Sequence, residues 1–331
     1  MKPFSLLAGS LLFVTCSLAF GQDPTPTPYP YQTELFAYAQ DGTPLNWDVY
    51  QPATQGQKPV VLVLHIGAFK GGTREDYGVI KAAGDLARAG FIACAIDYRL
   101  DILGHLAGQV RPAFADGIGQ IQVQINDVRK AILAARSPLP GSVIYGQVTG
   151  RVGGVGGSAG ASHVLSCAAT GTQAQRFDAA VMLSGPYAFD DHRSLAAMYV
   201  PCPGTNPTPT SFASDSLGFC LRFPNLHDGS PLYKVNSTVV PLLFFASEHD
   251  PITPPQYTDL TQWLSTIQPP PDAESYLVRG DAGCKHAFDY YEDQVDSDTQ
   301  GSPVVNDLIN TWLWDHLSSP GRKTAARAVS R

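Results

Sequence analysis

Four stretches of almost unbroken apolar sequence, "PVVLVLHIG" (59–67), "FIACAIDYR" (91–99), "FDAAVMLSG" (177–185) and "VVPLLFFASEHD" (239–250), set the strongest limit on how this chain folds. A strand with one solvated face alternates apolar and polar residues, whereas a run that is apolar at every position must be covered on both faces. Helical patterns lie between and after these runs: "YGVIKAAGDLARAG", closed by Gly90, then "INDVRKAILAARS", "AGASHVLSCAATG" and "PPQYTDLTQWLSTI". Strands alternating with helices imply a mostly parallel central sheet flanked by helices, the α/β class. "TELFAYAQ" and "LNWDVYQP" alternate around the turn "DGTP" and predict an opening antiparallel hairpin, while "ESYLVRG" and "VVNDLINTWLWDHLS" predict a last strand and a last helix. "RVGGVGGS" reads as a short strand weakened by glycine. There is no internal repeat and one domain suffices. Ligands of such a sheet sit beyond the carboxyl ends of its strands.

The chain has 331 residues, 44% hydrophobic and 15% charged, enough to bury a sizeable core. Its net charge of −7 carries no basic block, which argues against nucleic acid or an anionic membrane surface as partner. At the start stand Lys2, the apolar "FSLLAGSLLFV", and the small residues Ala19 and Gly21 at the spacing a signal peptidase reads. Residues 1–21 are therefore expected to be a cleaved signal peptide, too short for a membrane span, which makes the mature protein secreted or periplasmic with no stable membrane anchor. A proline-rich leader follows over 22–32, then a main domain over 33–319. An irregular stretch from about 187 to 235 is too long for a simple connection and is expected to form a cap insertion over the site. Residues 320–331 form a basic, polar tail.

Loss of the signal removes Cys16 and leaves Cys94, Cys167, Cys202, Cys220 and Cys284. Cys202 and Cys220 bracket a stretch rich in Pro, Gly, Ser and Thr with little apolar material, so a disulfide between them is the preferred pairing. Cys94 and Cys167 lie in apolar segments and read as small buried hydrophobes. No Cys/His spacing suggests a metal, and no organic cofactor is implied. The sequence carries no signal of oligomeric state.

The chemistry concentrates in Gly156-Gly157-Ser158-Ala159-Gly160, a G-x-S-x-G between a strand and a helix pattern. A serine at such a sharp turn adopts a strained backbone, bulk two residues away on either side would collide across the turn, and the helix N-terminus favours developing negative charge. Serine is a weak nucleophile until a base, most often a histidine oriented by a carboxylate, takes its proton. Asp250 follows the late strand "VVPLLFFASEHD" and His286 follows the next, so Ser158, Asp250 and His286 come in the order this sheet type requires. Glu248 is the reserve acid and His249 a loop residue; His316 belongs to a helix surface and His163 to the helix after Ser158, a structural position. A tetrahedral oxyanion needs backbone N–H donors, for which Ala159 and, from the loop after an early strand, Gly67 and Ala68 are the candidates, with His65 organising that loop.

The set "LHIGAFKGG", "IDYRL", "GGSAGAS", "SEHDPITP" and "KHAF" resembles the α/β-hydrolase fold, and within it the carboxylesterases related to hormone-sensitive lipase and to bacterial acetyl xylan or feruloyl esterases. The resemblance spans 33–319. It implies a mostly parallel sheet with a cap insertion and an HGGG-type oxyanion loop at His65, Ile66, Gly67 and Ala68. The chain departs from that loop at Ile66 and Ala68, which leaves the backbone donors and narrows the acyl space. The residue before Ser158 is Gly157 rather than an acid, which leans toward the xylan-esterase branch. Asp97, Arg99 and Asp127 are expected to form ion pairs bracing the nucleophile turn, and Ser230 and Pro231 to mark the return from cap to core.

The expectation is a secreted serine carboxylesterase acting on a small-molecule or polysaccharide-linked ester. Two other readings share its residues: a serine peptidase of the prolyl-oligopeptidase type, which lacks here a propeller-like domain and an early acidic pair, and a non-catalytic binding protein on the same fold, which would ordinarily have lost a triad member.

Overall fold

The computed structural model describes residues 29–69, 71–100, 118–189, 226–250, 254–283 and 285–318. The expected signal peptide, most of the leader and of the cap insertion, the Cys202–Cys220 pair, Cys284 and the tail lie outside the described residues.

Eight strands form one sheet: β1 (Gln32–Tyr38), β2 (Pro44–Tyr50), β3 (Lys58–Leu64), β4 (Ile92–Ile96), β5 (Val148–Gly157), β6 (Ala179–Leu183), β7 (Leu242–Ser247) and β8 (Ala273–Val278). Their order is β1-β2-β4-β3-β5-β6-β7-β8. The pairs β1–β2 and β2–β4 are antiparallel and the remaining five are parallel, as expected from an opening hairpin followed by strand–helix alternation.

The continuous apolar runs are the strands covered on both sides. In β3, Val60, Leu62 and Leu64 face a core closed by α2 (Ile118–Arg136), α3 (Ala159–Ala169) and α4 (Pro254–Thr266). Val61 and Val63, pointing the other way, join a core closed by α1 (Tyr77–Arg88) and α5 (Val305–Leu317). Helix α1 shows how this works locally: Val79, Ala82, Ala83, Leu86 and Ala87 make its buried stripe, and at Gly90 (φ 105°) the chain turns back toward β4.

Strand β5 is longer than its glycines suggest, ten residues rather than a short segment. Parallel ladders to β3 on one side and β6 on the other hold it, and its glycines admit close neighbours. A Cβ at Gly153 would lie 2.8 Å from Leu317 Cδ1, and one at Gly154 2.8 Å from the Phe177 ring. Glycine weakens an isolated strand, but here it lets α5 and Phe177 approach the centre of the sheet.

The expected ion pairs exist with a different arrangement. Arg99 grips Asp127 of α2 with two hydrogen bonds of 2.7 and 2.8 Å, but Asp97 pairs with Arg74, which also reaches Asp48 of β2 at 3.1 Å. These contacts brace the end of β4 against α2 and β2, not the turn at Ser158, because β3 stands between β4 and β5.

Both ends of the expected cap insertion are anchored side by side. The Leu232 amide donates to the Tyr187 carbonyl at 3.0 Å and the Phe189 amide to Ser230 Oγ at 2.7 Å. The buried Gln256 side chain of α4 accepts from the amides of Tyr187 and Ala188, each at 2.6 Å. At the other end of the domain Tyr29, from the proline-rich leader, docks its hydroxyl on the Gln51 carbonyl at 2.8 Å.

Asp127 is fully buried and Arg99 partly so. Replacing Asp127 by Ala removes two hydrogen bonds from the guanidinium and leaves Asp41, 3.3 Å away, as its remaining partner, so equilibrium urea unfolding is expected to show a loss of about 2 kcal/mol.

Candidate active site

Strand β5 ends at Gly157 and α3 begins at Ala159, so Ser158 makes the whole turn. Its backbone sits at φ 51° and ψ −118°, a conformation that costs a residue with a side chain on the order of 1–3 kcal/mol and that the surroundings must hold in place. The Ser158 amide donates to the Leu183 carbonyl of β6 at 2.9 Å, and the Ser158 carbonyl accepts from Ser162 at 3.2 Å. The side chain lies at the N-terminus of α3.

The surrounding glycines are contact points. A Cβ at Gly156 would run into the Gly160 carbonyl and come within 2.8 Å of the Ala161 nitrogen, and a Cβ at Gly160 would lie 2.6 Å from the carbonyl oxygens of Leu64 and His65. At Gly157 it would meet Phe288 Cε2 at 2.8 Å and Ile66 Cγ2 at 2.9 Å. The turn is thus seated between the end of β3 on one side and the loop that carries His286 on the other.

That loop follows β8. His286 Nδ1 lies 2.8 Å from Asp250 Oδ2, and the Asp250 carboxyl is buried. The carboxylate accepts the Nδ1–H and leaves Nε2 as the basic nitrogen. The acid loop and the histidine loop are laced together: the Glu248 amide donates to the Val278 carbonyl at 2.9 Å, and Ser247 Oγ donates to the Lys285 carbonyl. Glu248 and His249 are exposed; of the two acids it is Asp250 that touches the imidazole.

Phe288 is a residue that sequence reasoning missed. Its ring covers Gly157 beside Ile66, and its Cβ lies 2.5 Å from where a Cβ at Gly78 of α1 would stand. It wedges the histidine loop against the Ser158 turn, with Ala287 before it held at φ 52°. Glycines at 78 and 157 were its only trace in the sequence. The same contact places the Ile66 side chain in the apolar cluster around Phe288.

The loop after β3 takes three left-handed residues in succession, Gly67 (φ 125°), Ala68 (53°) and Phe69 (67°), closed by a 2.9 Å bond from the Gly71 amide to the Gly67 carbonyl. A Cβ at Gly67 would strike the Gly71 carbonyl. Behind the loop, the buried His65 stacks on Tyr98 with ring centres 4.1 Å apart, and the Tyr98 hydroxyl donates to the His65 carbonyl at 3.0 Å. His163, buried in α3, meets Tyr98 edge-on at 4.8 Å and lies 2.9 Å from Gln124 Oε1 through Nε2. Burial lowers the pKa of His65, and takes that of His163 from 6.5 down to about 3, so both rings are neutral. His316 lies on α5 with Nδ1 2.7 Å from the Trp312 carbonyl.

No known family profile matches the sequence, and no curated protein matches it either. Solved structures do share its architecture. The apo form of Thermogutta terrifontis esterase 2 superposes with a TM-score of 0.59 at 13% identity, covering 90% of this chain and 100% of that one. The propionate-bound form of this planctomycete enzyme gives 0.58 at 14%, covering 89% and 98%. The form phosphorylated by paraoxon gives 0.56 at 13%, covering 88% and 96%. The chain has the α/β-hydrolase fold.

The neutral histidines set a pH dependence of stability. Below pH 6.5 an unfolded His163 takes up a proton that the folded one refuses until about pH 3. Stability is therefore full above 6.5 and falls toward 3, by up to about 1.4 kcal/mol per pH unit, with His65 adding in the same sense. Urea unfolding between pH 7.5 and 5 is expected to show this slope, and His163→Phe to flatten it.

Proposed function

We propose that the protein is a secreted serine carboxylesterase that cleaves short-chain esters through an acyl-enzyme, with acetyl or feruloyl esters of plant polysaccharide as the substrate class. The observation that carries this reading is the strained Ser158 turn at the end of the central strand, combined with the 2.8 Å His286–Asp250 bond on the neighbouring loop.

In this reading Ser158 Oγ attacks the ester carbonyl carbon while His286 Nε2 takes its proton. Asp250, hydrogen-bonded to Nδ1, keeps the ring in the tautomer with a free Nε2 and stabilises the imidazolium that forms. The carbonyl oxygen becomes an oxyanion facing the amides of Ala159, Gly67 and Ala68. The tetrahedral adduct collapses, the C–O bond to the alcohol breaks, and His286 gives its proton to the departing oxygen. A water then repeats the sequence on the acyl-Ser158 ester and releases the acid. Every proton moves between Ser158, His286, the alcohol and water, so the residues named suffice for the chemistry.

Solved relatives of the fold support the choice of reaction. Thermogutta terrifontis esterase 2 is described with propionate or butyrate bound, phosphorylated by paraoxon and phosphonylated by sarin. Carried over to this chain, small acyl groups and phosphorus electrophiles would both address Ser158. Export rests on residues 1–21, and an exported esterase suits substrates that are themselves outside the cell.

A series of p-nitrophenyl esters from acetate to decanoate tests the proposal on the purified mature protein. The expected result is a short-chain optimum, a loss of about 10⁴-fold or more in kcat with Ser158→Ala, and one phosphoryl group on Ser158 by peptide mass spectrometry after paraoxon. Equal rates in wild type and Ser158→Ala would overturn it.

A further inference from the structure

Resting on the esterase reading of this same site, we infer that Gln124 and His163 are positioning residues that hold the oxyanion loop in its strained shape. They form one polarised chain of hydrogen bonds from the nucleophile's own helix to that loop.

The chain can be traced donor by donor. Gln124 Nε2 donates to the Phe69 carbonyl at 2.8 Å, which fixes the orientation of the amide and turns its Oε1 away from the loop. That oxygen lies 2.9 Å from His163 Nε2, which must therefore carry the hydrogen. His163 sits on α3, the helix that Ser158 opens, Gln124 on α2, and Phe69 one residue beyond Ala68. Gln124 is 2% exposed and His163 fully buried. The Phe69 ring is clamped as well, edge-on against His163 at 5.4 Å and Phe189 at 5.7 Å.

Two features set this arrangement apart from ordinary core packing. Consecutive left-handed residues at Ala68 and Phe69 are unfavourable for side-chain-bearing residues, so the loop relaxes unless something outside it holds it. The tautomer that serves Gln124 also leaves His163 Nδ1 buried with no hydrogen-bond partner. A phenylalanine there would fill the space without an orphaned nitrogen, so stability alone does not favour histidine. What the histidine adds is the N–H that orients Gln124, and through it the peptide next to the donors at Gly67 and Ala68.

The double variant Gln124→Met/His163→Phe removes both partners together and separates positioning from stability. Its melting temperature is expected to fall by only the few degrees that the orphaned Phe69 carbonyl costs, with the protein still folded at the assay temperature. Its kcat on p-nitrophenyl acetate, per site titrated with paraoxon, should fall by about tenfold or more with KM changed little, as for a weakened oxyanion site. Gln124→Glu supplies a second readout, and serves alone if the double variant does not fold. An ionised carboxylate repels the Phe69 carbonyl, whereas a protonated one donates to it. The ratio of its kcat to the wild-type kcat should therefore rise as pH falls. The titratable groups around this position are His163, whose Nε2–H meets the new carboxyl, and His65 beyond it, while Arg99 is held by Asp127 one turn along α2 and by Asp41. A wild-type kcat in these variants, a change confined to KM, or a flat ratio across pH overturns the inference while Ser158→Ala remains inactive. Activity retained in Ser158→Ala overturns it together with the esterase reading.

Discussion

The contact on which the rest of this structure depends is backbone against backbone: the turn at Ser158 pressed against the end of β3, with Gly156 facing the Gly160 carbonyl and Gly160 facing the carbonyls of Leu64 and His65. Close packing of this kind has no soft component, because neither side has a rotamer that could move aside. It fixes the start of α3 relative to the loop after β3, and so the serine relative to the proposed oxyanion donors. Phe288 extends the same geometry to the histidine loop through its seat on Gly157. Three loops from distant parts of the sequence thus share one rigid origin, which is what pre-organised catalysis demands of a scaffold.

Polar groups behind this origin are arranged to stay uncharged or fully paired. His65 and His163 are buried neutral, Asp250 is buried against His286, and Asp127 is buried against Arg99. A buried carboxylate is tolerable only where a donor meets it, and each of these has one. Glu248 is exposed and contributes to the geometry through its backbone amide, which donates to the Val278 carbonyl.

Much of this could be read from the sequence because it is local. Apolar runs, helical stripes and the Gly90 stop located the strands and the longer helices, although α2 starts at Ile118, ahead of the pattern that begins at Ile125, and the short helix Leu226–Gly229 went unread; the order Ser158, Asp250, His286 anticipated a histidine–carboxylate contact that the fold makes. What escaped reading is set by distance through space. Nothing near Asp97 in the chain says that Arg74 is its partner, since that depends on the connection after β3 meeting the end of the neighbouring β4. The Gln124–His163 bond joins residues on two helices that meet only once the sheet is covered. The length of β5 was underestimated for a related reason: glycine propensity describes an isolated strand, while two parallel neighbours and the closeness of Phe177 and α5 decide the real one.

The paired anchors at Tyr187–Leu232 and Phe189–Ser230 have an evolutionary consequence. Because they bring the two ends of the insertion together on the body of the domain, and because closing a loop costs only slowly more as it lengthens, the segment between them is a graft site. A change in its length then enters the domain through these two anchors. Descendants of this scaffold can thus differ in this segment while keeping the Ser158 turn and the His286–Asp250 contact.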